Sequence, residues 1–191
     1  MVATGDAGAI EDVSATLAGV LEDGINVGGH DVVITSPDAV RGTGSPTVSL
    51  FLYDVTERAE DSSPRPREVS LEDQQQPPLT VELSYLVTAF PSGSGNESQK
   101  AKQGHELIGE AMWAFRRSAL ITGSALRGSL EGQLQIARSE DHETIVDVWN
   151  TFAERSYLPS VPYSVGPVAM DAGEPTPADR VATMTLRGED G

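Results

Sequence analysis

Two strand-like segments constrain this chain more than any other feature. Leu79, Val81, Leu83, Tyr85, Val87 and Ala89 alternate with Thr80, Glu82, Ser84 and Thr88. A period of two puts one set of side chains on a buried face of a long strand. Residues 47–55, Thr-Val-Ser-Leu-Phe-Leu-Tyr-Asp-Val, are apolar on both faces, as in a central strand covered on both sides. Such strands demand a sheet with something packed on it.

The covering layers are readable as helices. From about residue 7 to 25, Ile10, Val13, Leu17, Val20 and Leu21 recur at three- and four-residue spacing, which makes one apolar stripe. Asp6 is placed to cap this helix, and Glu11 and Asp12 suit its first turn. A second helix, about 98–119, carries Leu107, Ile108, Ala111, Met112 and Phe115 on one side. A third starts after Ser139 as its cap, with Ile145, Val148, Trp149 and Phe152 inward. Residues 30–35 read as a short strand, and Leu130, Leu134 and Ile136 mark another. A further strand spans 159–170, with Val161, Tyr163 and Val165 on one face. Its prolines predict an edge position, because each removes a ladder donor. Residues 57–78 are rich in proline, glutamine and charge and read as a long mobile loop. The order α-β-β-β-α-β-α-β predicts an α+β single domain, a mixed β-sheet with about three helices packed on it. That domain is expected over residues 1–170. Residues 171–191 form a polar C-terminal tail, in which 181–186 either pair as one extra strand or stay loose.

Charge restricts the partners. Asp plus Glu number 29 against 13 Lys plus Arg, a formal net charge of -16, and Lys100 and Lys102 are the two lysines. A nucleic-acid binder needs a basic face, so no nucleic-acid partner is expected. Many acids and few lysines predict a fold adapted to concentrated salt, where self-repulsion is screened to about 3 Å at 1 M. The first ten residues lack the basic and apolar regions of a secretory signal. No stretch approaches the roughly 18 apolar residues of a membrane span. A soluble protein with no membrane partner, made in the cytoplasm, is expected.

Candidate chemistry is sparse. With no cysteine in the chain, disulfides and thiolate metal sites are excluded. His30, His105 and His142 lie far from the close spacing of a helical metal pair. Gly42-Thr43-Gly44-Ser45 lacks the Gly-Lys-Ser/Thr ending that cradles phosphate, and reads as a turn. Ser124 and Ser129 sit near glycines without a Gly-x-Ser-x-Gly elbow. Asn96-Glu97-Ser98 fits the short N-glycosylation pattern, for which chance is the better reading without an export signal. Trp113 and Trp149 are both assigned to packing on helix core faces. No catalytic, cofactor-binding or metal residue is nominated, and no cofactor is expected.

Several segments taken in order resemble a known family. They are residues 46–55, the run 77–90 from Pro77-Pro78-Leu79 to Ala89-Phe90, Leu107-Ile108-Gly109-Glu110-Ala111-Met112 and Arg127-Gly128-Ser129-Leu130. Trp149-Asn150 and Tyr157-Leu158-Pro159-Ser160-Val161-Pro162-Tyr163 complete the set. Together they are similar to the N-terminal domain of the cap, or tail-terminator, protein of extracellular contractile injection systems, with the antifeeding prophage and the Photorhabdus virulence cassettes as familiar examples. The resemblance spans about Ile10 to Met170. It implies a structural protein and not an enzyme. Copies of the chain would form a ring, a hexamer, that ends the inner tube and anchors the last sheath layer. The partners implied are the chain itself, the inner tube protein and the sheath protein, in a particle assembled in the cytoplasm and released from the cell. The strand at 161–168 is the edge expected to accept a neighbour's strand. Another ring adaptor of the same machine, at the baseplate or as tube initiator, is the nearer alternative. A stand-alone enzyme or ligand-binding α+β domain is the farther one. The acidic composition departs from the family's usual bacterial members and points to a salt-loving host.

Overall fold

A computed structural model describes residues 2–41, 44–58, 67–68, 73–75, 77–93, 95–140, 142–152, 156–171 and 176–177. The elements in chain order are β1 (Ala3–Gly5), α1 (Ala9–Gly24), β2 (Asp31–Ile34), β3 (Thr47–Glu57), β4 (Arg67–Glu68), β5 (Asp73–Gln75) and β6 (Leu79–Phe90). They continue as α2 (Glu97–Arg117), β7 (Leu120–Thr122), a 3-10 turn (Gly123–Ala125), β8 (Gln133–Arg138), α3 (His142–Asn150), β9 (Ser160–Met170) and β10 (Thr176–Pro177). This is the expected α+β arrangement: a seven-stranded mixed sheet ordered β2-β3-β6-β9-β8-β7, with β1 beside β9 and three helices packed on it.

The two anchor strands sit side by side. β3 and β6 pair antiparallel from Thr47 opposite Phe90 to Glu57 opposite Val81, with a bulge between Leu52 and Asp54. The even residues Val48 and Leu50, with Tyr85, Val87 and Leu83 opposite, face α1 and α2 and are buried. The α1 stripe meets them through Val13, Leu17 and Leu21, and α2 adds Leu107, Ala111 and Phe115. The other sheet face carries Phe51 and Leu86 beneath Ile145 and Trp149 of α3. β3 is therefore covered on both faces near its start. Its last residues, Asp54 to Glu57, are exposed, so the coverage gives out over the last two residues of the predicted strand and the two that extend it.

The edge position predicted for 159–170 is overturned. β9 is an interior strand: β6 lies along one side, and β8 and then β1 share the other. Its prolines fall where the ladders are already interrupted. The Pro162 carbonyl accepts the Ser139 N–H, so the missing Pro162 donor faces the very end of β8. Pro167 lies between the stretch paired with β8 and the stretch paired with β1, opposite a register shift at Val81/Leu83 in β6. Proline is tolerated inside a sheet at such breaks.

Smaller differences have local causes. α1 starts at Ala9, with Gly8 at the cap position. Asp6 instead accepts the Gly8 N–H at 2.7 Å and turns the chain into the helix. Glu140, the first position after a Ser139 cap, lies outside α3, which is described from His142. α2 stops at Arg117, and Leu120–Thr122 becomes strand β7 against β8. Within the segment read as a loop, β4 and β5 pair with each other and β5 with β10. Most of 57–78, and the whole of 181–186, lie outside the described residues.

Candidate functional site

The residues that drew attention as chemistry resolve mainly into architecture. Asn96 caps α2: its Oδ1 accepts the Gln99 N–H at 2.9 Å, while Gln99 Oε1 accepts the Asn96 N–H at 2.9 Å. This reciprocal box satisfies two otherwise orphaned donors. Ser129 ties the loop after β7 to α1. Asp12 Oδ2 accepts from the Ser129 N–H at 2.8 Å and from its hydroxyl at 2.9 Å. Gly128 makes this approach possible. Its φ is +64°, and a Cβ there would stand 1.9 Å from Asp12 Oδ1. Ser124 is exposed in the 3-10 turn. His30 bonds the Val27 carbonyl through Nδ1 at 2.8 Å, and His105 is exposed on α2. Among the described residues no group of three or more His, Asp or Glu is placed to hold a metal ion. No helix among them is long and apolar enough to cross a membrane.

The two tyrosines with displaced titration are packing groups. Burial pushes the Tyr85 phenol up to about 12, against a partial lowering by its hydrogen bond with Ser14. Tyr85 Oη lies 2.7 Å from Ser14 Oγ. Burial likewise pushes Tyr163 up to about 12, against the nearby positive charge of Arg138. Tyr163 also meets Phe115 edge-on, with ring centroids 4.8 Å apart. Neither phenol is poised to exchange a proton near neutrality.

The surface offers a different kind of site. A groove of about 680 Å³ runs between α2 and β8, lined by Met112, Trp113, Arg116, Ile136, Arg138 and Tyr163 among others. Trp113 is 57% exposed, which corrects its assignment to a core face. The stripe is Leu107-Ala111-Phe115, and Trp113 lies two residues from both of its nearest members. At 3.6 residues per turn that is the opposite side, so the spacing already contained the answer. Trp149 is buried as predicted, its Nε1 donating to Ser160 Oγ at 3.2 Å. The sheet also has open margins among the described residues. β2 and β7 are the terminal strands, and β2 covers β3 only as far as Leu50.

A seven-stranded mixed sheet with three helices packed on it and a groove beside α2 is the frame in which relatives are to be sought. The family model for the Pvc16 N-terminal domain matches residues 12–183, and the chain belongs to that family. Two solved structures share the fold. One is the sheath/tube terminator of an extracellular contractile injection system, PVC, in its extended state. It has a TM-score of 0.62 and 17% identity over 95% of this chain and 64% of that one. The other is the tube-terminating cap of the anti-feeding prophage, with a TM-score of 0.58 and 14% identity over 93% of this chain and 61% of that one. The chain thus spans a little under two thirds of each protein it resembles. No curated protein matches it.

Proposed function

We propose that this chain is the structural cap of a contractile injection particle, ending its inner tube and holding the last layer of sheath. The observation that carries this reading is the family match over residues 12–183, supported by the fold shared with two terminal caps. The domain expected over residues 1–170 supplies the ring-forming part, and copies of the chain close into a sixfold ring on the tube. The work is done by surfaces: the ring binds one tube end and offers the next tube layer nothing to bind. Catalysis has no part in it. Assembly takes place in the cytoplasm before the particle leaves the cell.

The charge belongs to the same reading. A net charge of -16 per chain is multiplied when copies meet around a ring. At 0.15 M salt the screening length is about 8 Å, long enough for facing surfaces to repel. At molar salt it falls to about 3 Å, so long-range repulsion is lost while apolar contacts and ion pairs in direct contact hold the ring. The cap therefore works in a salt-rich cell.

Deletion of the gene tests the proposal. The expected outcome is tubes or sheaths of uncontrolled length, or particles that come apart. Particles of normal length that contract normally would count against a cap.

A further inference from the structure

We infer that the groove between α2 and β8 receives the exposed end of β3 from a second copy of this chain, so that opposite margins of the sheet meet from one copy to the next. The inference deepens the cap reading by naming the surfaces between copies, and rests on that reading for its setting at a tube end.

The groove is built for an acidic, partly apolar strand. Its walls offer Trp113 and Met112 on one side and Ile136 on the other, flanked by the guanidiniums of Arg116 and Arg138. Both arginines are exposed, and among the described residues neither makes an ion pair with a carboxylate. In a chain with 29 acids and 13 bases, two unpaired arginines beside an apolar trough mark a place where an acidic group is expected from outside. Guanidinium forks suit carboxylates. The sheet margin adds backbone to this. β7 pairs with β8 only as far as Gln135, and the Ile136 N–H then donates to the Ala119 carbonyl. Alternation along the strand turns the Arg138 N–H toward the same outer side.

The matching surface lies at the far margin of the same sheet. β2 stops covering β3 at Leu50, and Asp54, Val55, Thr56 and Glu57 beyond it are exposed. Val55 is 44% exposed. It faces the same side as Glu57, since their partners Leu83 and Val81 both belong to the main core. Two residues along a strand set the apolar side chain and the carboxylate about 7 Å apart. Asp54 adds a second carboxylate on the opposite side of the same strand end, beside Thr56, from whose hydroxyl it accepts at 2.8 Å. Arg58 opposes this charge only in part, because it is engaged by Glu82 at 3.4 Å. The two surfaces differ and lie at opposite margins of one sheet, so joining them makes a head-to-tail contact. Such contacts close into rings when the rotation divides the circle.

The absence of cysteine makes the test clean. Val55→Cys and Trp113→Cys alter exposed side chains, so the double variant folds as the parent does, as circular dichroism would verify. A short bismaleimide is applied to it free in molar salt and on assembled particles. A ladder of covalent multimers from the double variant, and at most dimers from either single variant, is expected. Adding Arg116→Glu with Arg138→Glu should cut the ladder at least tenfold, and further adding Asp54→Arg with Glu57→Arg should restore it. The inference is overturned if the folded double variant gives no ladder in either setting, if charge reversal leaves the ladder unchanged, or if Cys at position 113 captures a tube or sheath subunit instead. A ladder in solution from a protein missing at particle ends would sink the cap reading and leave this contact standing.

Discussion

The two faces of the sheet are built to different depths. On one, α1 and α2 bury a continuous core that includes Leu17, Leu21, Leu50, Tyr85, Leu107 and Phe115, all at 1% exposure or less. On the other, the nine-residue α3 covers Leu86 with Ile145 and Trp149, assisted by half-buried Phe51, Tyr53 and Phe152. The deep face is close-packed and mainly aliphatic, with one aromatic pair, Phe115 and Tyr163, set within it. The shallow face relies on edge-to-face aromatic pairs, Trp149 with Phe152 at 5.6 Å and Phe51 with Phe152 at 6.0 Å. Stability therefore concentrates on the first face.

Truncating one phenylalanine on each face measures the contrast. Phe115→Ala should destabilise by about 3–5 kcal/mol, as expected for an aromatic removed from a close-packed core. Phe152→Ala should cost roughly 1–2 kcal/mol, since it is half-buried and its partners can close over it. Denaturant melts of the two variants decide this, and equal losses would dissolve the distinction. Gly128→Ala probes the loop that locks onto α1. It forces a side chain into a left-handed conformation and displaces the Asp12 carboxylate from Ser129, for an expected loss of about 2–4 kcal/mol.

Alkali should also act first on the deep face. Tyr85 titrates at about 12 when folded against 10 when free. Between those values the unfolded chain releases a proton that the folded chain keeps. The stability from the buried neutral phenol is therefore complete below pH 10 and is lost as pH rises toward 12. Tyr85→Phe should lose less stability than the parent over that window, which a series of melts from pH 9 to 12 would show. The smallest expected effect lies on the shallow side. The buried Ser49 hydroxyl has no hydrogen-bond partner among the described residues. Ser49→Ala should be neutral or stabilising by up to about 1 kcal/mol, and a clear loss in a thermal melt would reveal a hidden partner.

The deep face was legible in the sequence because its elements are long and periodic. The stripes of α1 and α2 and the alternation of β6 name their own buried residues. What lay beyond reach depends on partners distant in the chain. β1 is three residues long and gains its place from β9 and from Glu131. The prolines of β9 read as an edge because nothing local shows that Pro162 faces the end of β8. The groove was obscured for another reason. A large aromatic on an amphipathic helix invites assignment to the core, but the spacing of Trp113 sets it outside the stripe. Arg116 and Arg138 come together only when α2 packs beside β8.

The central claim is that this chain caps a tube, and its most direct test is to see where it sits. Electron microscopy of intact particles, prepared in molar salt with the protein tagged, should show it as a ring at the end farthest from the baseplate, with tube and sheath stopping beneath it. Finding it at the baseplate, along the sheath or absent from the particles would contradict the account.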